Sequence, residues 1–170
     1  KGDLFANIEQ VKLVLQKVNR EILEFAKDQR TTCGSTVVLL IQNQNECAFL
    51  WAGDSRLYLN RHSQITQLTK DHSVHNLYEE SGLPTENIQN NAITRAVGVY
   101  DDLEIECGYH ELQAGDHFLL CSDGLYETLS EAQINVALSM TSPQDAADNL
   151  TNLVLSGPAK DNLSGIFIWY

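Results

Sequence analysis

The order of helix and strand signals in this chain predicts an α+β fold in which antiparallel sheets are covered by helices. Helical patterns gather at the two ends of the chain. Between them strand follows strand, with no intervening helix of the kind a parallel crossover needs. The 170 residues are 43% hydrophobic, enough to build one core, so a single domain over residues 1–170 is expected.

From Asp3 to about Lys27, apolar residues fall at Leu4, Ile8, Val11, Leu15, Val18, Ile22 and Phe25, in alternating steps of four and three. That spacing makes a long amphipathic helix. Val14, Leu23 and Ala26 widen the stripe, which suits packing on a sheet better than a narrow coiled-coil seam. After Arg30–Ser35, the run Val37–Ile41 is apolar and largely β-branched, the pattern of a strand buried on both faces. The polar QNQN at 42–45 reads as a hairpin turn into a strand at Ala48–Ala52. A third strand, Arg56–Asn60, and a short fourth, Ile65–Leu68, close a meander. Residues 70–97 are polar and contain Gly82, Pro84 and paired asparagines at 90 and 91, so they read as a short helix within an irregular surface excursion.

Strand signals resume at Leu103–Tyr109 and His117–Cys121, on either side of a turn at Ala114–Asp116. Ser130 with Gln133 forms a capping-box signal for one helix, and Ser142 before Pro143 marks the start of another. That helix should stop near Ser156–Pro158, where Gly and Pro end it, and a last strand should run from Leu163 to Trp169.

Net charge narrows the function. With 23 acidic residues against 11 Lys plus Arg, the formal charge is −12, which argues against nucleic acid as a partner. The same excess repels a phosphorylated substrate unless bound divalent cations reverse the local field. No apolar run approaches the roughly 20 residues that span a bilayer, so neither a membrane nor a signal peptide is expected. Cys33, Cys47, Cys107 and Cys121 are scattered and read as reduced, mostly buried residues of a cytoplasmic protein, and none is placed as a nucleophile.

Asp54, Asp123 and Asp161 share a context. Each lies at a strand edge in a short turn, in AGDSR, CSDGL and AKDNLS. Singly, each reads as a turn former, because Asp side chains bond their own backbone in such turns. Together they make a candidate metal site, since carboxylate oxygens are the ligands of Mg²⁺ and Mn²⁺ and strand ends can meet at one rim of a sheet.

The motifs GST (34–36), GDSRLY (53–58), LTKDHS (68–73), ITRAVG (93–98), GDHFLLCSDGLYE (115–127) and KDNLSG (160–165), in that order, resemble the metal-dependent protein serine/threonine phosphatases, the PPM or type 2C family, in its short bacterial form. The resemblance implies a central antiparallel β-sandwich flanked by helices, αββα, with the 70–97 excursion as the family's flap. It implies that Asp123 and Asp161 bind opposite sides of a cluster of two Mn²⁺ or Mg²⁺ ions. Asp54, helped by Asp123, would serve a third, weaker site, with Glu127, Gly124 and Asn162 as accessory positions. The implied reaction is hydrolysis of phosphoserine and phosphothreonine in proteins by a metal-activated water, in line and without a phosphoenzyme.

The family pattern normally opens with strands, a phosphate-clamping Arg and an Asp-Gly pair that bridges both catalytic ions, and none of these occurs in the 170 residues. The expectation is therefore a domain lacking its N-terminal strands, with impaired or absent activity, and an exposed sheet edge open to dimerisation or strand exchange. The rival reading is a non-catalytic pseudophosphatase that binds phosphoproteins or regulates a partner. Retention of Asp54, Asp123 and Asp161 favours the enzyme over it, and a plain interaction domain would need all six motifs to match by accident.

Other residues invite roles. His72 and His75 could share a metal on a helix, but a capping or flap-packing role suits His72 better. Arg56 reads as holding its turn against carboxylates, and Arg95 as structural. Lys160 stands where the family often has Gly, either weakening metal binding or leaning toward substrate. Trp51 and Trp169 are expected in the core.

Overall fold

A computed structural model describes residues 3–86, 88, 92–157 and 161–170. The expectations for Lys160 and for the asparagines at 90 and 91 lie outside the described residues. In chain order the elements are α1 (Leu4–Asp28), β1 (Val37–Asn43), β2 (Glu46–Ala52), β3 (Arg56–Arg61), β4 (Gln64–Gln67), α2 (Val74–Glu80), β5 (Glu106–Glu111), β6 (His117–Cys121), α3 (Asp123–Tyr126), α4 (Glu131–Leu138), α5 (Pro143–Ser156) and β7 (Gly165–Trp169). The fold is α+β and every strand pairing is antiparallel. The chain divides into two compact units, Lys1–Asp54 with Asp71–Glu111, and Ser55–Lys70 with Leu112–Tyr170.

The first unit contains α1, α2 and the sheet β1-β2-β5. Asp3 starts α1 by accepting the Phe5 amide at 3.1 Å. Leu4 and Ile8 pack on Ala48 and Leu50 of β2, and Leu15 and Ile22 meet the cluster of Ala52, Val97 and Leu103. The helix thus covers the sheet, but its buried line differs from the expected stripe. Val18 and Phe25 are 36% and 56% exposed, whereas Asn19 and Ala26 are buried. A helix of 3.6 residues per turn drifts by roughly 20° per heptad from a strict 3.5 repeat, so the buried line steps on by one residue.

β1 is only half-buried, against the expectation of burial on both faces, because it lies at an edge of the sheet. The central strand β2 is instead buried continuously from Cys47 to Ala52. β5 starts later than expected. Leu103 is buried, yet its carbonyl accepts from the Gln16 side chain of α1 at 2.7 Å, so the apolar alternation there reflects packing on the helix. The 70–97 excursion is tied at its base, where the Thr94 and Val74 amides donate to the His72 and Ala92 carbonyls at 2.7 and 2.8 Å. α2 lies within it, capped by Ser73.

The second unit contains the sheet β4-β3-β6-β7 with α3, α4 and α5. The expected four-strand meander is therefore two hairpins in separate sheets. The break falls at Gly53, whose φ of +115° turns the chain between β2 and β3. Leu119, Leu125, Ile134, Leu138, Leu150 and Val154 form the centre of this unit's core. Both expected caps are present: the Ser130–Gln133 box begins α4, and Ser142 with Pro143 begins α5. β7 begins at Gly165, later than expected, because Ser164 is engaged elsewhere.

Candidate metal centre

In the second unit, β6 runs into Ser122 and then directly into the single helical turn α3, so Asp123 is placed as its first residue. Where the sequence predicts only a turn after the strand, the chain forms this helical turn. The Asp123 Oδ1 accepts the Gly124 amide at 2.8 Å, and the Asp161 Oδ1 accepts the Asn162 amide at 2.7 Å. In each turn the backbone thus fixes one carboxylate oxygen.

The two turns pack against each other. A Cβ on Gly124 would lie 2.3 Å from the Asn162 carbonyl oxygen, so only glycine permits the approach. A reciprocal pair of bonds clamps the neighbouring residues: the Ser122 amide donates to the Ser164 carbonyl at 3.1 Å, and the Ser164 amide donates to the Ser122 hydroxyl at 3.0 Å. Thus Asp123 and Asp161, 38 positions apart in number, stand on turns in direct contact. Asp123 is half-buried, while Asp161, Asn162 and Glu127 are exposed. Glu127 caps the end of α3, its amide donating to the Asp123 carbonyl at 2.9 Å. Sequence reading did not identify the serine clamp; two serines beside two aspartates was the available signal.

Asp54 belongs to the first unit, in the Gly53–Ser55 turn. Gly53 is required there both by its positive φ and by space, since a Cβ would meet Thr36 Cγ2 at 2.4 Å. His72 holds the turn from the other direction. Its amide donates to the Gly53 carbonyl at 2.9 Å, and its Nδ1 accepts the Gly53 amide at 3.1 Å. Its ring stacks on Trp51 with centroids 5.9 Å apart, and Nε2 lies 3.1 Å from Arg95 and 3.5 Å from Glu106. Burial lowers the His72 pKa and Arg95 adds to the effect, against the pull of Glu106.

Motifs that are separate in the sequence meet in this unit. Thr36 of GST presses on Gly53 of GDSR, His72 of KDHS bonds Gly53, and Ser35 bridges Val97 of ITRAVG. Arg95 pairs with Glu104 and Glu106 at 3.1 and 3.0 Å. In the second unit Arg56 lies over the Tyr126 ring at 3.5 Å and donates to the Tyr58 hydroxyl at 2.9 Å. Trp51 is buried, and the half-buried Trp169 donates its indole N–H to the Met140 carbonyl at 3.1 Å.

Asp123 and Asp161 supply hard oxygen donors on rigid turns, a chemistry that suits Mg²⁺ or Mn²⁺. Among the described residues no group of three or more His, Cys, Asp and Glu side chains is arranged to hold an ion. No helix among the described residues is long and apolar enough to cross a membrane.

Comparison with known proteins agrees with this fold. The family described as Protein phosphatase 2C matches residues 5–163, and the chain belongs to that family. The serine/threonine phosphatase stp of Listeria innocua is 32% identical over 162 residues, covering 91% of this chain and 64% of its own. The chain therefore spans less than two thirds of that relative. Among solved structures, PppA, described as a key regulatory component of T6SS in Pseudomonas aeruginosa, superposes with a TM-score of 0.90 at 34% identity, covering 97% of this chain and 70% of its own. The catalytic domain of the phosphatase PstP in complex with 2 manganese ions superposes with a TM-score of 0.85 at 29% identity, covering 98% and 71%.

Proposed function

We propose that the protein hydrolyses phosphoserine and phosphothreonine in proteins with the aid of divalent metal ions. The observation that carries this reading is the packing of the Asp123 and Asp161 turns through Gly124 and Asn162, within a family whose curated relatives are serine/threonine phosphatases. Asp123 and Asp161 would hold catalytic Mn²⁺ or Mg²⁺, with Glu127 as an accessory position in the same unit, and Asp54 would serve a weaker third ion. Bound ions supply a water of lowered pKa and positive charge for the phosphoryl oxygens. The chain's own part is placement. Backbone amides fix one oxygen of each carboxylate, the Ser122–Ser164 clamp holds the turns at a constant separation, and His72 fixes the Gly53 turn beside Asp54. On a chain of net charge −12, bound cations would supply positive charge for an approaching phosphate.

Assays with p-nitrophenyl phosphate and phosphothreonine peptides in Mn²⁺ test the proposal. Turnover should stop on chelation, and Asp123→Asn or Asp161→Asn should lower kcat/KM by more than the roughly 10–100-fold that loss of a ligand's supporting partner costs. Turnover that survives chelation, or is unchanged in both variants, would refute it. Metal-dependent binding of the phosphopeptide without any hydrolysis would instead favour a regulatory, non-catalytic protein.

A further inference from the structure

We propose that a pocket beside α2 is a docking site for substrate segments in which an aliphatic or aromatic side chain is flanked by lysine or arginine. The identity of the occupant as substrate rests on the phosphatase reading above. The pocket has a volume of about 530 Å³ and lies between α2 and the 94–104 segment. Its apolar lining joins the buried Ala96 and Leu103 to Leu77 and Tyr100, which are 52% and 54% exposed. Large side chains left half in water around a concavity are what an incoming apolar side chain would cover.

Charge selects the flanking residues. Asp101, Asp102 and Glu104 also line the pocket, and all three are exposed. The lining cation, Arg95, pairs with Glu104 of the same wall at 3.1 Å and with Glu106 of β5 at 3.0 Å. The opening therefore presents carboxylates around an apolar floor, on a chain that already carries a charge of −12. An acidic segment would meet like charge, whereas lysine or arginine beside an apolar anchor matches both features.

Position favours substrate as the occupant. Arg95 lies 3.1 Å from His72 Nε2, and His72 Nδ1 accepts the Gly53 amide at 3.1 Å. His72 thus links Arg95 of the pocket wall to the turn that carries Asp54. A segment seated in the pocket is tethered one side chain away from that turn, which raises the effective concentration of a phosphorylated residue further along the same substrate.

Fluorescence anisotropy with an unphosphorylated peptide, Lys-Arg-Leu-Lys-Arg in a Gly/Ser frame, reads docking independently of catalysis. The Asp101→Asn/Asp102→Asn double variant should bind this peptide roughly five- to tenfold more weakly than wild type. Leu77→Ser should also weaken binding, and replacing the peptide's basic residues with Gln should abolish the difference between wild type and the double variant. With a phosphopeptide carrying the same basic segment, the double variant should raise KM while leaving kcat and p-nitrophenyl phosphate turnover unchanged. Equal affinity of wild type and both variants for the basic peptide would overturn the proposal, as would an equal rise in KM for a phosphopeptide without basic residues. Failure to turn over p-nitrophenyl phosphate would count against the phosphatase reading, while anisotropy would still decide the pocket.

Discussion

Asp116 and Asp123 look alike in the sequence, each next to a strong strand, yet their surroundings give them opposite uses. Asp116 is fully buried, and both its oxygens accept from Arg61 at 2.6 Å, with the Gln113 amide adding a third bond at 2.9 Å. Asp116→Ala leaves Arg61 without its carboxylate and should cost about 3–5 kcal/mol of stability, measured by urea denaturation. Asp123 is half-buried on a glycine-spaced contact with the Asp161 turn, where its carboxylate serves the proposed metal centre. Gly124→Ala would force the two turns apart and should reduce the rise in melting temperature on adding Mn²⁺, with a smaller effect in metal-free protein. His72 gives a pH dependence with a definite sign. Its native pKa lies below the ordinary 6.5, so the unfolded chain binds the proton more readily as the pH falls. The stability that neutral His72 contributes is fully present above about pH 6.5 and is lost as the pH falls from there through the lowered native value. Melting temperatures from about pH 8 to pH 5 should fall less steeply in His72→Gln than in wild type.

Helix boundaries were legible because caps are local chemistry. Ser130 with Gln133 and Ser142 with Pro143 satisfy amides within a few residues, so their sequence spacing already defines the starts of α4 and α5. Ser142→Ala should cost about 1 kcal/mol, seen in thermal or urea unfolding. Other boundaries depended on partners far along the chain. β5 begins at Glu106 because Gln16 takes the Leu103 carbonyl. Within α1, the side chain of Asn19 donates to the Tyr100 carbonyl at 2.8 Å and accepts the Gly98 amide at 2.6 Å. An asparagine in a helical stripe looks like a defect in the pattern; here it joins the helix to the loop that follows ITRAVG, where a Cβ on Gly98 would meet Ile22.

For the molecule as a whole, acidity bears on the proposed metal binding. With a formal charge of −12, the folded chain concentrates carboxylates, and any cation bound only by the native state stabilises it by mass action. Mn²⁺ should raise the melting temperature in a concentration-dependent manner, chelation should reverse the shift, and Asp123→Asn/Asp161→Asn should abolish it. By itself the sequence determined the long helices and most strands, the α+β class and the family, because periodicity, caps and an ordered set of motifs are carried by neighbouring residues. It also marked Asp54, Asp123 and Asp161 as residues in turns at strand ends. Only the tertiary structure decided that the expected meander belongs to two sheets, that Gly124 rests on Asn162, and that His72 joins Gly53 to Arg95. Those contacts link residues far apart in the chain, and they arise from strand register and the space between packed turns, which no local pattern encodes.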